Sequence, residues 1–280
     1  MAFARNGDCE LFHEAFGSSG DPALLMINGL GSQCINYKDE WCERFAARGL
    51  HVIRFDNRDV GLSTKFDDAP TGEHGEAYTV WEMAEDAVAV LDANGVERAH
   101  VMGLSMGGMI TQALAIRHAD RLLSMTSVMS HTGEPEYGRP TPEAWAQLTR
   151  PPATDRRSHV ESHIAGLRIW GSPEFADEDR WRADAEQAFD RCFHPTGRRR
   201  QFFAIQASGS RADALRSVTV PALVIHGDRD TLIDISGGRR TAELIPGARF
   251  EVIEGMGHDY PPQLWDCWVD LVAGFTVAAT

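Results

Sequence analysis

The pentapeptide Gly103-Leu-Ser-Met-Gly107 constrains this chain more than any other feature, because it joins two segments of different character. Residues 99–102 are apolar and predict a strand, whereas the Ala-, Ile- and Leu-rich residues after Gly107 predict a helix. A strand that turns directly into a helix requires glycine where the two elements cross, since a Cβ atom would clash there. Such a turn exposes the Ser105 hydroxyl beside the free N–H groups of a helix N-terminus, which favour an oxyanion.

The pattern Gly-x-Ser-x-Gly is weak evidence by itself, since average residue usage produces it in roughly one unrelated chain in ten of this length. Its weight comes from the alternation of strands and helices around it. The predicted strands are at residues 9–16, 23–28, 51–55, 99–102, 122–129, 220–226 and 249–253. The predicted helices between them are at 39–49, 79–94, 105–118 and 236–245, with a further helix at the C-terminal end. This alternation predicts an α/β fold with a mostly parallel central sheet and helices on both faces.

Residues 131–211 interrupt the alternation with prolines and a change of composition. Helices are predicted there at 141–148, 157–169, 177–193 and 197–207. We therefore predict a core formed by residues 1–130 and 212–280, with residues 131–211 inserted as a helical cap. The cap is rich in aromatic residues, most of which we expect to form its own small core while a few line an apolar pocket near Ser105. These residues are Trp145, Trp170, Phe175, Trp181, Phe189, Phe193, Phe202 and Phe203.

Composition excludes several classes of partner. The formal net charge of −14 argues against nucleic acid and against an anionic membrane surface. No apolar run is long enough to span a bilayer, and the N-terminal residues lack the pattern of a signal peptide, so we expect a cytoplasmic protein. The five cysteines are odd in number and lack a C-x-x-C pair, which predicts reduced thiols. The sequence is compatible with a homodimer.

A nucleophilic serine needs a base to accept its proton, an acid to orient that base and donors for the oxyanion. His258 is the candidate base because it follows the last predicted strand and comes last in the order Ser, Asp, His. The loop after strand 220–226 offers two acids, Asp228 and Asp230. Aspartate after a strand commonly caps a turn, and Asp230 is the better candidate because it lies deeper in the loop.

The oxyanion donors are expected to be backbone N–H groups. We choose Met106, which directly follows the serine, and Leu30, in the loop after strand 23–28. That loop, at residues 28–33, is rich in glycine, but it lacks the Gly-Lys-Ser/Thr of a phosphate loop and the glycine spacing of a dinucleotide site. No cofactor is therefore predicted.

Two further groups of residues have alternative interpretations. His159 and His163 share one helical face, as zinc ligands do, but the spacing is not His-Glu-x-x-His and a third ligand is not evident, so no metal is predicted. Arg198, Arg199 and Arg200 form the one basic run, for which a solvated helix end is the simpler interpretation and an anion-binding patch the alternative.

Five segments together resemble the α/β-hydrolase superfamily: residues 28–31, 56–63, 103–108, 226–230 and 255–258. The resemblance covers nearly the whole chain outside the cap, and residues 51–64 and 96–108 are most similar to the aclacinomycin methylesterase and cofactor-free haloperoxidase-like group. It implies that Asp230 is the acid and that Asp228 is structural. The chain departs from the family pattern at two positions: Asn28 occupies the place of a usual histidine, and Asp234 that of a frequent proline.

These features predict an α/β-hydrolase fold and a serine hydrolase that cleaves a small-molecule carboxylic ester with a hydrophobic acyl or alcohol part. Ser105 would form an acyl-enzyme, with His258 as the base and Asp230 as the acid. Cleavage of a carbon–carbon bond, lactone opening and perhydrolysis are alternatives on the same three residues. A ligand-binding receptor on the same scaffold is a further alternative, because fold alone does not determine function.

Overall fold

The computed structural model describes residues 2–72 and 75–279. Its strands are β1 (Ala2–Asn6), β2 (Cys9–Phe16), β3 (Ala23–Ile27), β4 (His51–Phe55), β5 (Ala99–Leu104), β6 (Leu122–Val128), β7 (Ala222–Gly227) and β8 (Arg249–Ile253). They form one sheet in the order β1-β2-β4-β3-β5-β6-β7-β8. The β1–β2 and β2–β4 pairs are antiparallel, and every pair from β4 to β8 is parallel. The predicted mostly parallel sheet is confirmed.

Helices cover both faces of this sheet. Across the described residues they are α1 (Asp39–Ala46), α2 (Val80–Ala93), α3 (Met106–Arg117), α4 (Pro142–Leu148), α5 (Arg156–Trp170), α6 (Glu178–Arg191), α7 (Pro195–Ala207), α8 (Ala212–Leu215), α9 (Ser236–Leu244) and α10 (Trp265–Ala279). One apolar cluster joins the sheet to α2 and α3, and a second joins it to α1 and α10. Strands β3, β4 and β5 are buried along their whole length, as expected for a sheet covered on both faces. Every helix that the structure describes is too short or too polar to cross a lipid bilayer.

The strands and α-helices expected from the sequence are present, and one strand and one α-helix of the described residues were missed. Helix α8 is a single turn, and β1 is an edge strand that begins with exposed residues. Strand β1 pairs with β2 as a hairpin in which Asn6 lies opposite Cys9, and Gly7 adopts a φ of +58° in the turn. The two turn residues are therefore Gly7 and Asp8, and glycine is typical of the first position of such two-residue turns, so the dipeptide Gly7-Asp8 was the signal that could have located β1.

Helices α4 to α7 come from the segment between β6 and β7, where an inserted cap was predicted. Helices α5 and α6 share a small apolar cluster formed by Val160, Ile164, Trp181 and Ala185. The division into a core at 1–130 and 212–280 and a cap at 131–211 stays a prediction.

Buried ion pairs attach this helical segment to the loops at the edge of the sheet. Arg200 of α7 donates from Nε and Nη2 to the two carboxylate oxygens of Asp59, each at 2.8 Å, and neither side chain is exposed to solvent. Arg191 at the end of α6 lies 2.8 Å from Asp56, which is also buried. Burial alone would raise the pKa of Asp59, but hydrogen bonds, chiefly from Arg200, lower it below its ordinary value. The interpretation of residues 198–200 as a solvated helix end is therefore wrong for Arg200.

Replacing Arg200 with methionine should lower the free energy of unfolding by about 3–5 kcal/mol, because Asp59 would keep a buried charge without its partner. Urea unfolding at pH 7, followed by circular dichroism, measures this change. The double variant Asp59→Asn/Arg200→Met should recover at least half of the loss, since neither charge then remains buried. A loss below about 1 kcal/mol in the single variant would contradict this assignment.

Candidate active site

Ser105 lies at the sharp turn between β5 and α3. Its backbone adopts φ +56° and ψ −117°, a region that residues with a Cβ atom rarely occupy. The two flanking glycines explain how the chain makes this turn: a Cβ on Gly103 would lie 2.0 Å from the Gly107 carbonyl oxygen, and a Cβ on Gly107 would lie 2.0 Å from that of Ile27. The crossing of strand and helix that the sequence predicted is therefore present, and both positions require glycine.

Two hydrogen bonds hold the peptide groups of Ser105 in this conformation. Its N–H donates to the Val128 carbonyl at 2.9 Å, and its carbonyl accepts from the Ser130 hydroxyl at 2.8 Å. Both partners lie at the end of the neighbouring strand β6 or just beyond it. Strain at a functional residue persists when its surroundings fix it in this way.

The imidazole of His258 is held by Asp230. His258 Nδ1 lies 2.6 Å from Asp230 Oδ2, and the Asp230 side chain is fully buried. The other carboxylate oxygen accepts the N–H groups of Leu232 and Ile233 at 2.9 and 2.8 Å. With Nδ1–H donated to the carboxylate, the His258 Nε2 atom carries the lone pair that can accept a proton.

Asp230 is an ionised acceptor at neutral pH. Burial alone would raise the pKa of this carboxyl group, but the nearby charge of His258 and hydrogen bonds from His226 and His258 outweigh it and lower the pKa to about 2. An ionised, immobilised carboxylate orients an imidazole and stabilises its protonated form.

His226 is a residue of this site that the sequence analysis did not assign. It lies on β7, its side chain is fully buried, and its Nε2 is 2.8 Å from the Ile233 carbonyl oxygen and 3.4 Å from Asp230 Oδ2. A carbonyl only accepts hydrogen bonds, so Nε2 carries the proton and fixes the loop that holds Asp230. A Cβ on Gly238 would lie 2.4 Å from Nδ1, so a glycine makes room for the ring. In the sequence, His226 lies four residues before Asp230, and this spacing was the signal that could have assigned His226 to the site.

Asp228 has a different environment from Asp230. It is exposed, and its Oδ1 accepts the Gly255 N–H at 2.7 Å. This contact joins the loop after β7 to the loop after β8, so Asp228 braces the two loops that carry Asp230 and His258.

The loop that carries His258 is docked on the last residue of α5 and on the residues that follow it. The His258 N–H donates to the Trp170 carbonyl at 2.5 Å, and the Gly257 N–H donates to Ser172 Oγ at 2.9 Å. The Ser172 N–H and hydroxyl both donate to Asp259 Oδ1. The helical segment between β6 and β7 thus fixes the position of His258 as well as covering it.

The loop at residues 28–33 passes directly against the serine. A Cβ on Gly29 would lie 3.3 Å from the Ser105 Cβ atom. The Gly31 N–H donates to Gln201 Oε1 at 2.8 Å, which attaches the loop to α7. The N–H groups of Leu30 and Met106 have no acceptor within the part of the chain that the structure describes, so both are free to bind an oxyanion.

The two departures from the family pattern have local roles. Asn28 is buried, and its Nδ2 donates to the Gln33 carbonyl at 3.2 Å, which closes the loop at residues 28–33. Asp234 is exposed, and its Oδ1 accepts the Ser236 N–H at 3.0 Å at the start of α9. Asp234 therefore stabilises a turn and does not place a charge in the interior.

A cavity of about 610 Å³ joins these groups. Ser105, Leu30 and His258 line it, and no hydrogen bond links the Ser105 and His258 side chains among the contacts of the described residues. Hydrogen bonds between a nucleophile and its base are commonly long without substrate and shorten when substrate binds. Five of the eight aromatic residues noted in the sequence line this cavity, more than the few that were expected: Trp145, Trp170, Trp181, Phe193 and Phe202.

The histidine pair on α5 also faces this cavity. His159 packs against the rings of Phe189 and Phe193, with centroid distances of 5.7 and 5.8 Å. Burial lowers the pKa of His163 to about 4. Within residues 2–72 and 75–279, no group of three or more His, Cys, Asp or Glu side chains is arranged to hold a metal ion.

Comparisons with known proteins agree with this architecture. A family model described as alpha/beta hydrolase fold matches residues 22–260. Rhodomycin D methylesterase from Streptomyces sp. (strain C5) is 33% identical over 297 residues, covering 96% of this chain and 96% of the methylesterase. The same enzyme from Streptomyces peucetius is 32% identical over 302 residues, covering 98% and 97%. The crystal structure of an enol-lactonase from Burkholderia xenovorans LB400 superposes with a TM-score of 0.79 at 24% identity, covering 99% of this chain and 100% of that one.

Proposed function

This chain belongs to the α/β-hydrolase family and is a serine hydrolase of carboxylic esters, and we propose that Ser105, His258 and Asp230 are its catalytic triad. The observation that carries the proposal is the 2.6 Å hydrogen bond between His258 and buried Asp230, because His258 lines the same cavity as the strained Ser105. Each of the three residues follows the carboxyl end of a parallel strand, where sites of this fold class lie.

In the first half of the reaction, Ser105 Oγ attacks the ester carbonyl carbon while His258 Nε2 accepts the hydroxyl proton. The carbonyl oxygen becomes an oxyanion and accepts hydrogen bonds from the N–H groups of Leu30 and Met106. Collapse of this intermediate breaks the bond to the alcohol, which leaves with the proton from His258. Asp230 holds the imidazole in the required tautomer and stabilises its positive charge.

In the second half, water attacks the acyl-enzyme. His258 Nε2 accepts a proton from the water, and a second oxyanion forms at the Leu30 and Met106 amides. When this intermediate collapses, Ser105 Oγ leaves and takes the proton back from His258. The products are a carboxylic acid and an alcohol.

We further propose that the substrate is a methyl ester with a large apolar acyl part. Both Streptomyces relatives are named methylesterases, which supports methanol as the leaving group. A cavity of about 610 Å³ lined by five aromatic side chains suits the acyl part, since ligand pockets of this size are mostly apolar and bury most of the ligand.

This proposal is tested with methyl esters of increasing acyl size, from a single aromatic ring to fused polycyclic acids, by following methanol release. Burial of about 100 Å² more apolar surface, at about 25 cal/mol per Å², predicts a kcat/KM roughly 70-fold higher for the polycyclic ester. Lactones and diketones of similar size serve as the comparison. A higher kcat/KM on either of them, or no dependence on acyl size, would refute the methyl ester proposal.

A further inference from the structure

Arginine side chains that are buried in this protein have compensating partners. Among the described residues, three of them pair with carboxylates: Arg54 with Glu14, Arg58 with Asp86, and Arg200 with Asp59. Arg211 is also buried and has no carboxylate partner, but its guanidinium donates to three oxygen acceptors. Such partners are expected, because a charge removed from water must be paired or hydrogen-bonded.

Arg198 differs from these four arginines in its partners. Its aliphatic stem packs on Gly31, where a Cβ atom would lie 2.9 Å from both Cγ and Cδ of the arginine. Its guanidinium donates to the Leu148 carbonyl at 3.4 Å, and no other hydrogen bond or ion pair of this side chain is found within the described ranges. Burial lowers the pKa of Arg198, and no neighbouring carboxylate raises it. The guanidinium is thus partly desolvated and lacks a counterion.

This side chain lines the same cavity as Ser105. The residue on which its stem packs, Gly31, follows Leu30, the proposed oxyanion donor. Two carboxylates also line the cavity, but each has other contacts. Asp184 pairs with Lys38 at 2.8 Å, and Asp259 accepts two hydrogen bonds from Ser172.

We propose that Arg198 binds a carboxylate on the acyl part of the substrate, so that the natural ester is a half-ester of a dicarboxylic acid. A planar guanidinium binds a carboxylate through two parallel hydrogen bonds. These bonds contribute most to binding where water has already been removed. The carboxylate belongs to the acyl part, because the proposed leaving group is methanol, which has no further carbon atom to carry one. This inference rests on the proposed function and specifies its substrate class.

The test uses methyl esters of naphthalene dicarboxylic acids with different spacings between the two groups. Each half-ester is compared with its ester amide, in which a neutral carboxamide of nearly the same shape replaces the carboxylate. The quantity measured is the ratio of kcat/KM for the two substrates. For the best spacing, Arg198→Met should reduce this ratio by about 100-fold, because a desolvated charge pair is lost. Arg198→Lys should retain part of the preference, because it keeps the charge and loses the planar fork.

The matched control is Arg199→Met, which removes an exposed arginine one residue away and should leave the ratio unchanged. A change below about threefold in Arg198→Met, with both substrates hydrolysed by the unaltered enzyme, would overturn the inference. Loss of the preference in Arg180→Met would also overturn it, since Arg180 lines the cavity as well and would then be the residue that binds the carboxylate. Thermal unfolding of each variant verifies that it is folded.

If the unaltered protein hydrolyses neither ester, the proposed function fails and the anion site is tested separately. Calorimetry then compares binding of the free naphthalene dicarboxylic acids with binding of their monoamides. Stronger binding of the diacid that disappears in Arg198→Met supports the site. Equal binding of diacid and monoamide, or a preference that survives in Arg198→Met, overturns it.

Discussion

Replacing Ser105 with alanine is expected to lower kcat on a methyl ester by about a millionfold, because the variant cannot form an acyl-enzyme. Binding should change little, since the cavity keeps its aromatic lining and the Arg198 side chain. Residual turnover above the uncatalysed rate would come from the free N–H groups of Leu30 and Met106, which still stabilise an oxyanion formed by direct attack of water. Single-turnover kinetics with enzyme in excess measures the rate.

Ser127→Ala is a suitable control for this experiment. Ser127 is buried on β6, and its hydroxyl has no partner among the described residues, so its removal breaks no hydrogen bond. We expect unchanged kcat in this variant. A fluorophosphonate should label the unaltered enzyme and Ser127→Ala but not Ser105→Ala. Labelling of Ser105→Ala at the normal rate would show that another residue is the nucleophile.

The elements of this site that the sequence could predict are those encoded locally. The turn at Ser105 is specified by two glycines within five residues, and Asp230 and His258 lie three and five residues after the ends of β7 and β8. Parallel strands bring their carboxyl ends to one edge of a sheet, so the loops after β5, β7 and β8 come together without further information. The distance of 2.6 Å between Asp230 and His258 reflects this topology.

The features that the sequence could not predict depend on contacts between distant parts of the chain. Ser172 and Asp259, whose contact anchors the His258 loop, are 87 residues apart. Arg198 and Arg200 are two residues apart in a basic run that predicts a solvent-exposed helix end. Arg200 nevertheless pairs with buried Asp59, and Arg198 lines the cavity. Charge composition does not distinguish these positions, because burial of an arginine is set by what packs around it.

Asp230→Asn is expected to lower kcat by about ten-thousandfold, with a much smaller effect on KM. Asparagine keeps the size of the side chain and its contacts with the Leu232 and Ile233 amides, but it removes the charge that stabilises protonated His258. Its amide also offers an N–H toward Nδ1, which favours the wrong tautomer of the imidazole. Steady-state kinetics with a methyl ester measures both parameters.

Asp228→Asn is the matched control for this substitution, because Asp228 is exposed and contacts the backbone of Gly255 rather than an imidazole. We expect less than about a threefold change in kcat.

The pH dependence of the free energy of unfolding gives an independent measure of the Asp230 environment. Because the native pKa of Asp230 is about 2, below its ordinary value of 3.8, this group stabilises the fold above pH 3.8 and loses that contribution as the pH falls toward 2. Asp230→Asn should therefore flatten the fall in the free energy of unfolding between pH 3.8 and pH 2. If Asp228→Asn instead caused the larger loss of kcat, the role of the acid would have to be reassigned to Asp228.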